Sequence, residues 1–301
     1  MNSISDAVPL SLAENPKKPA QSMWKKAAKL IRKRPLGAIA ALIIFTLAVV
    51  SVLAPWLAPY DPFKLNPGAI LKAPSALNWM GTDEYGRDVM SRIIWGSRVS
   101  LLVGLMSVGL GTTTGAVIGL ICGYFGGKVD YVIQRFMDVL MAFPGLILAL
   151  AMVAALGASI HNVVIALSLT IIPGASRVIR SSAVSLRESM FVDAARNLGY
   201  SNLRIIFRHI MPNCVAPYII IATSALGHAI LAEAGLSFLG LGTPPPAPSW
   251  GGMLSGSAQR FMTEAPWLAV FPGLAITLVV LGFSFLGDAL RDQLDPRLRS
   301  R

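Results

Sequence analysis

Residues 191–212 read FVDAARNLGYSNLRIIFRHIMP and lie between two strongly apolar runs, at about 161–179 and 214–236. Phe191, Ala194, Ala195 and Leu198 fall at i, i+3, i+4 and i+7, the spacing of one apolar helix stripe. Gly199 follows, where a helix C-terminus favours a left-handed residue. Ser201 is placed to cap a second helix, on which Leu203, Ile206, Phe207 and Ile210 repeat the same spacing. Arg204 and Arg208 flank it, and Pro212 is expected to end it before the next apolar run. The stretch therefore predicts two short amphipathic helices at an angle. The small alanines of the first let it nest closely in another protein's groove; the alternative is that the hairpin packs on the chain's own helix ends. Two apolar flanks argue against a soluble helix-turn-helix reader.

Working outward, the 301 residues are 54% hydrophobic and 14% charged, with a mean hydropathy of +0.62. Soluble domains carry about 25% charged residues, so most of this surface does not face water. A hydrocarbon crossing needs about 20 apolar residues. Spans are predicted at about 36–58, 99–125, 136–157, 161–179, 214–236 and 266–287, giving an all-α polytopic membrane protein with six transmembrane helices. A short Gly/Ser/His/Asn link near 157–162 separates the third from the fourth. Residues 180–213 form the longest internal polar loop. The first 35 residues form a tail whose segment 23–34 holds six Lys/Arg; it lies on an anionic bilayer surface or is a solvated charge cluster.

With the N-terminus inside, the predicted cytoplasmic segments 1–35, 126–137, 177–213 and 288–301 hold 20 of the 26 Lys/Arg and the external ones 6. This bias places both termini in the cytoplasm. It also makes the net charge of +11 topological rather than a nucleic-acid footprint. Cys122 and Cys214 sit in or beside apolar runs and imply no disulfide framework. His161, His209 and His228 are scattered, so no metal-ligand spacing exists. Gly111, Gly115, Gly119 and Gly123 recur every fourth residue in the second span. Small residues at that spacing let helix backbones approach closely in lipid, so this face is expected in the protein core or at a subunit interface.

The pattern D-A-A-x3-G at Asp193–Gly199, followed by H-I-M-P at His209–Pro212, resembles the coupling loop of ABC import permeases. That family's pattern begins with Glu; here Asp193 keeps the charge with a shorter reach. Gly81–Thr82–Asp83 with Gly86–Arg87–Asp88, then Ser91–Arg92 and Gly96, is similar to the external segment of dipeptide and oligopeptide permeases of the second-subunit type. Leu236–Gly242 before a proline-rich stretch, Pro248–Gly251, and Gly287–Asp292 with Leu294–Pro296 fit the same group. The resemblance spans about residues 24–299. It implies a type I ABC importer permease fold in the bacterial cytoplasmic membrane. It further implies a second permease subunit as heterodimer partner, two ATP-binding subunits and an extracytoplasmic peptide-binding protein. Phe191, Asp193, Ala194, Ala195, Leu198, Gly199, Arg204 and Pro212 would form the ATPase-coupling loop. Peptide is the implied cargo, with nickel or glutathione as alternatives in the same family.

No Walker A loop occurs. The chain is expected to bind no cofactor; ATP and its Mg²⁺ would belong to partner subunits. Glu233 is an ionisable group in the fifth span. It faces a translocation path or a helix partner, or lies partly wet near the external interface. Arg87 among the acids of GTDEYGRD points to internal ion pairing rather than acid–base chemistry. Pro244, Pro245, Pro246 and Pro248 stiffen an external loop, as a docking platform or gate or as a rigid interfacial re-entry, with Trp250 expected at headgroup level. No cluster of charged residues lines any span, so a path of modest polarity is expected. A stand-alone secondary transporter would need intramembrane ion ligands and internal repeats; only Glu233 and His228 qualify, and no inverted repeat is evident. A membrane enzyme would need a catalytic constellation, and none is visible.

Overall fold

The computed structural model describes residues 35–294, so the basic segment 23–34 and the motif end at Asp295–Pro296 lie outside the described residues. Within them the regular structure is helical: α1 (Pro35–Val52), α2 (Val89–Phe125), α3 (Gly127–Met141), α4 (Gly145–Leu156), α5 (Ile160–Arg187), α6 (Met190–Asn197), α7 (Asn202–Ile205), α8 (Val215–Phe238), α9 (Trp250–Leu254) and α10 (Trp267–Leu294). Five helical stretches are long and apolar enough to cross a bilayer, and six if the bent pair α3–α4 counts as one crossing. Helices are what hydrocarbon demands, because each backbone donor must find its acceptor within the segment.

The four glycines of α2 set the packing. A methyl group built on Gly111, Gly115, Gly119 or Gly123 would stand 2.8, 2.6, 2.5 or 2.8 Å from the carbonyl oxygen of Ser168, Ile172, Ser176 or Arg180, respectively. The acceptors also advance by four residues, so α2 and α5 run parallel, in register, with backbones touching. The face therefore lies inside this subunit and is not an interface between subunits. Parallel helices demand a return crossing between them. Segment 126–159 supplies it as α3 and α4, which meet at 87°.

The predicted span 136–157 is thus corrected to two helices. Pro144 offers no N–H and disfavours helical backbone at Phe143, so the first helix stops and the second begins at Gly145. Ser159 then caps α5 by accepting from Asn162 N at 3.2 Å, and Asn162 Nδ2 closes the link by donating to the Leu156 and Gly157 carbonyls. Other helices outrun their apolar windows. α2 starts at Val89 because Asp88 caps it, accepting from Ser91 N and Ser91 Oγ at 2.8 and 2.7 Å. α5 runs on to Arg187 with Pro173 inside it.

At the end opposite the hairpin, Asp83 organises the GTDEYGRD turn. It accepts from the Tyr85 and Arg87 amides at 2.9 Å each and pairs with Arg87 Nε at 2.7 Å. Trp250 faces the protein interior. It is 1% exposed, packs over Gly96 and donates from Nε1 to the Ile93 carbonyl at 3.0 Å. The indole N–H thus finds a buried acceptor on α2.

Gly119→Ala should lower the stability of the detergent-solubilised protein by about 1–3 kcal/mol through overpacking, despite the helix propensity gained. Gly109→Ala, whose added methyl meets nothing within 4 Å, should be neutral or stabilising. Thermal unfolding of both variants checks this pair.

Candidate functional site

The hairpin begins where Ser189 caps α6 with extended backbone. Its end is a full Schellman turn. Gly199, at φ +77°, donates to the Arg196 carbonyl at 2.9 Å, and Tyr200 N donates to the Ala195 carbonyl at 3.1 Å. Nothing crowds the missing Gly199 side chain, so the requirement is conformational. Ser201 then accepts from Arg204 N at 3.4 Å and starts α7.

Two faces result. Val192, Ala195, Ile205, Ile206 and Ile210 are buried against Leu120, Tyr124, Ile179 and Ala183 at the ends of α2 and α5. Tyr124 Oη donates to Asn202 Oδ1 at 2.7 Å, and Arg187 Nη1 donates to the Tyr124 carbonyl at 3.4 Å. On the other face Met190, Phe191, Leu198, Leu203 and Phe207 are exposed, Met190 at 89% and Leu198 at 72%. The predicted stripe is therefore split. Phe191, Ala194 and Leu198 point outward, while Ala195 points inward beside Val192. Asp193 pairs with Arg196 at 3.1 Å on the outer surface, and Arg204 lies over the Tyr200 ring at 4.9 Å.

Pro212 does not end the second helix. The backbone widens into a π-turn over Ile206–Ile210, in which Met211 N reaches the Ile206 carbonyl, and then tightens into a 3₁₀ turn over Met211–Cys214. The missing proline donor is absorbed by the changed register, and Asn213 Nδ2 donates to the His209 carbonyl at 2.6 Å. Helical backbone runs through from Asn202 to Phe238, so the hairpin is continuous with the fifth span.

Glu233 is 1% exposed and not partly wet. Its carboxyl accepts from Ser237 Oγ at 2.7 Å and from Ser100 Oγ on α2 at 3.0 Å, so its neighbour is a helix. Polarity lies elsewhere, in a seam between α3 and α5 that the sequence reading missed. Arg180 makes a two-pronged pair with Asp130, Gln134 Nε2 donates to Ser176 Oγ at 3.3 Å, and Arg177 Nη2 meets Asp138 at 2.5 Å. Asp130, Gln134 and Asp138 are spaced i, i+4, i+8. That signal was available, but a window placed at 136–157 cut across it.

Residues 115–300 match the family described as the inner membrane component of binding-protein-dependent transport systems. The chain belongs to this permease family. Residues 22–74 also match the N-terminal transmembrane domain of oligopeptide transport permease C. Among individual relatives, the dipeptide transport system permease protein DppC of Alkalihalophilus pseudofirmus is 46% identical over 93% of this chain and 92% of its own length. The glutathione transport system permease protein GsiD of Shigella boydii is 40% identical over 98% of this chain and 96% of its own. The inward-facing MetNI methionine ABC transporter, 15% identical, shares the fold with a TM-score of 0.56 over 68% of this chain and 97% of that chain. The hairpin and the polar seam both fall within the part common to the family.

Glu233→Gln should keep stability within about 1 kcal/mol, because the amide still accepts from a serine. Glu233→Ala should cost about 1–3 kcal/mol by leaving buried hydroxyls without their acceptor. Thermal unfolding of the purified variants distinguishes them.

Proposed function

We propose that this permease imports peptides of the dipeptide class, with the outward face of the 190–207 hairpin seated in a separate ATP-hydrolysing subunit. One observation carries the reading. An apolar outer face, unusual on a polar loop, is borne by a hairpin whose inner face is fixed to two helix ends and whose second half continues into a span. A push on Phe191, Ala194 and Leu198 therefore has a stiff route into α8. Nucleotide on the partner biases the inward and outward states only through such differential contacts. The hairpin end faces the cytoplasm, in keeping with the Lys/Arg distribution, and the opposite end receives cargo from an extracytoplasmic binding protein. A second permease subunit completes the path, and two partner subunits hold ATP and Mg²⁺. The 46% identity to a dipeptide permease supports peptide over glutathione or nickel.

Gly199→Val should abolish uptake of labelled dipeptide while insertion continues, because a β-branched residue resists positive φ; Gly199→Asn should retain much of it. Ala194→Arg should reduce co-purification of the ATPase subunit. Ala195→Arg should instead disrupt the hairpin, since Ala195 points inward. In a deletion strain, loss of dipeptide uptake supports the cargo assignment. Loss of Ni²⁺ or glutathione uptake alone would overturn it.

A further inference from the structure

We infer that the Asp138–Arg177 pair is a cargo-contact site in the translocation path, taking the charged main-chain ends of a peptide. Asp138 would receive the ammonium and Arg177 the carboxylate. The inference rests on the peptide reading above. At 1.5 Å per residue Arg177 stands about 26 Å along α5 from Ile160, near the end of the predicted span 161–179 and toward the hairpin. Both side chains are half exposed, at 48% and 44%. Charges at the edge of a span favour water or a protein partner over acyl chains, and this face is taken to line the hairpin end of the path. The residues that follow agree: Arg177, Ser181 and Ser185 form an exposed polar line at i, i+4, i+8. On α2 the exposed positions from 102 to 117 are instead mostly apolar, Leu102, Leu105, Met106, Leu110 and Val117, with Thr113 among them. The two seam pairs also differ. Arg180 grips Asp130 with two hydrogen bonds and Asp130 is 15% exposed. Arg177 holds Asp138 by one. The first is a clamp, while the second leaves a carboxylate oxygen and guanidinium N–H groups for another partner. Beside it Asp130, Gln134, Arg135, Asp138 and Arg180 line an open polar groove of about 410 Å³.

The chemistry is an exchange of ion pairs. A peptide ammonium replaces Arg177 at Asp138, and its carboxylate replaces Asp138 at Arg177, so no charge is left unpaired during passage. A dipeptide's ends lie about 7 Å apart when extended, a gap the two side chains can open by rotamer changes. The test uses the complete transporter, with partner permease, ATPases and binding protein, in proteoliposomes. Peptides moved per ATP hydrolysed should fall at least tenfold in Asp138→Asn and in Arg177→Gln, and Arg177→Lys should recover most of the loss. A ratio within twofold of wild type in both variants overturns the site. So does failure of either variant to assemble with the ATPase, since the pair would then be structural. A wild-type complex that moves no dipeptide overturns the peptide reading together with the site.

Discussion

The contact on which the rest depends is backbone against backbone, where four glycines of α2 lie on four carbonyls of α5. In lipid there is little hydrophobic drive between helices, so close packing and short C–H to carbonyl contacts hold them together. The geometry has consequences beyond its own energy. Two adjacent helices pointing the same way cannot be joined by a short turn. The chain must recross between them, and it does so through α3 and α4. Both glycine-lined helices then end side by side, and their ends form the floor on which the hairpin sits.

Several polar groups within the bundle are matched across helices. Glu233 finds two serine hydroxyls. Asp130 finds Arg180 and Ser168 Oγ donates to the Ser107 carbonyl. The Asp138–Arg177 pair departs from this pattern by being half exposed toward the hairpin end of α5, and for that reason it reads as part of a wet surface. The hairpin shows the complementary departure, large apolar side chains exposed on a polar loop. A loop that is apolar where water would disfavour it suits one subunit of an assembly.

Much of this was legible in the sequence because the signals were local. Gly199 and Ser201 are a stop and a start written in single residues, and the glycine period of four needs no tertiary knowledge. What escaped was set by competition between local rules and packing. Pro212 reads as a terminator, but a π-turn and a 3₁₀ turn carry the helix past it. Trp250 reads as an interfacial residue, but the space over Gly96 and a hydrogen bond to the Ile93 carbonyl hold it inside. The seam of Asp130, Gln134 and Asp138 escaped because hydropathy windows average over the very residues that alternate. The inward turn of Ala195 escaped because an apolar stripe does not say which of its edges is buried.

The most direct measurement of the central claim is a cross-link from the hairpin's outer face in the assembled transporter. A cysteine replaces Leu198, and the native Cys122 and Cys214 stay buried and silent. The expected result is a disulfide or short-linker product with the ATPase subunit, its yield changing with nucleotide. Labelling of the same cysteine by a membrane-impermeant reagent added from outside the cell, with no ATPase product, would contradict it.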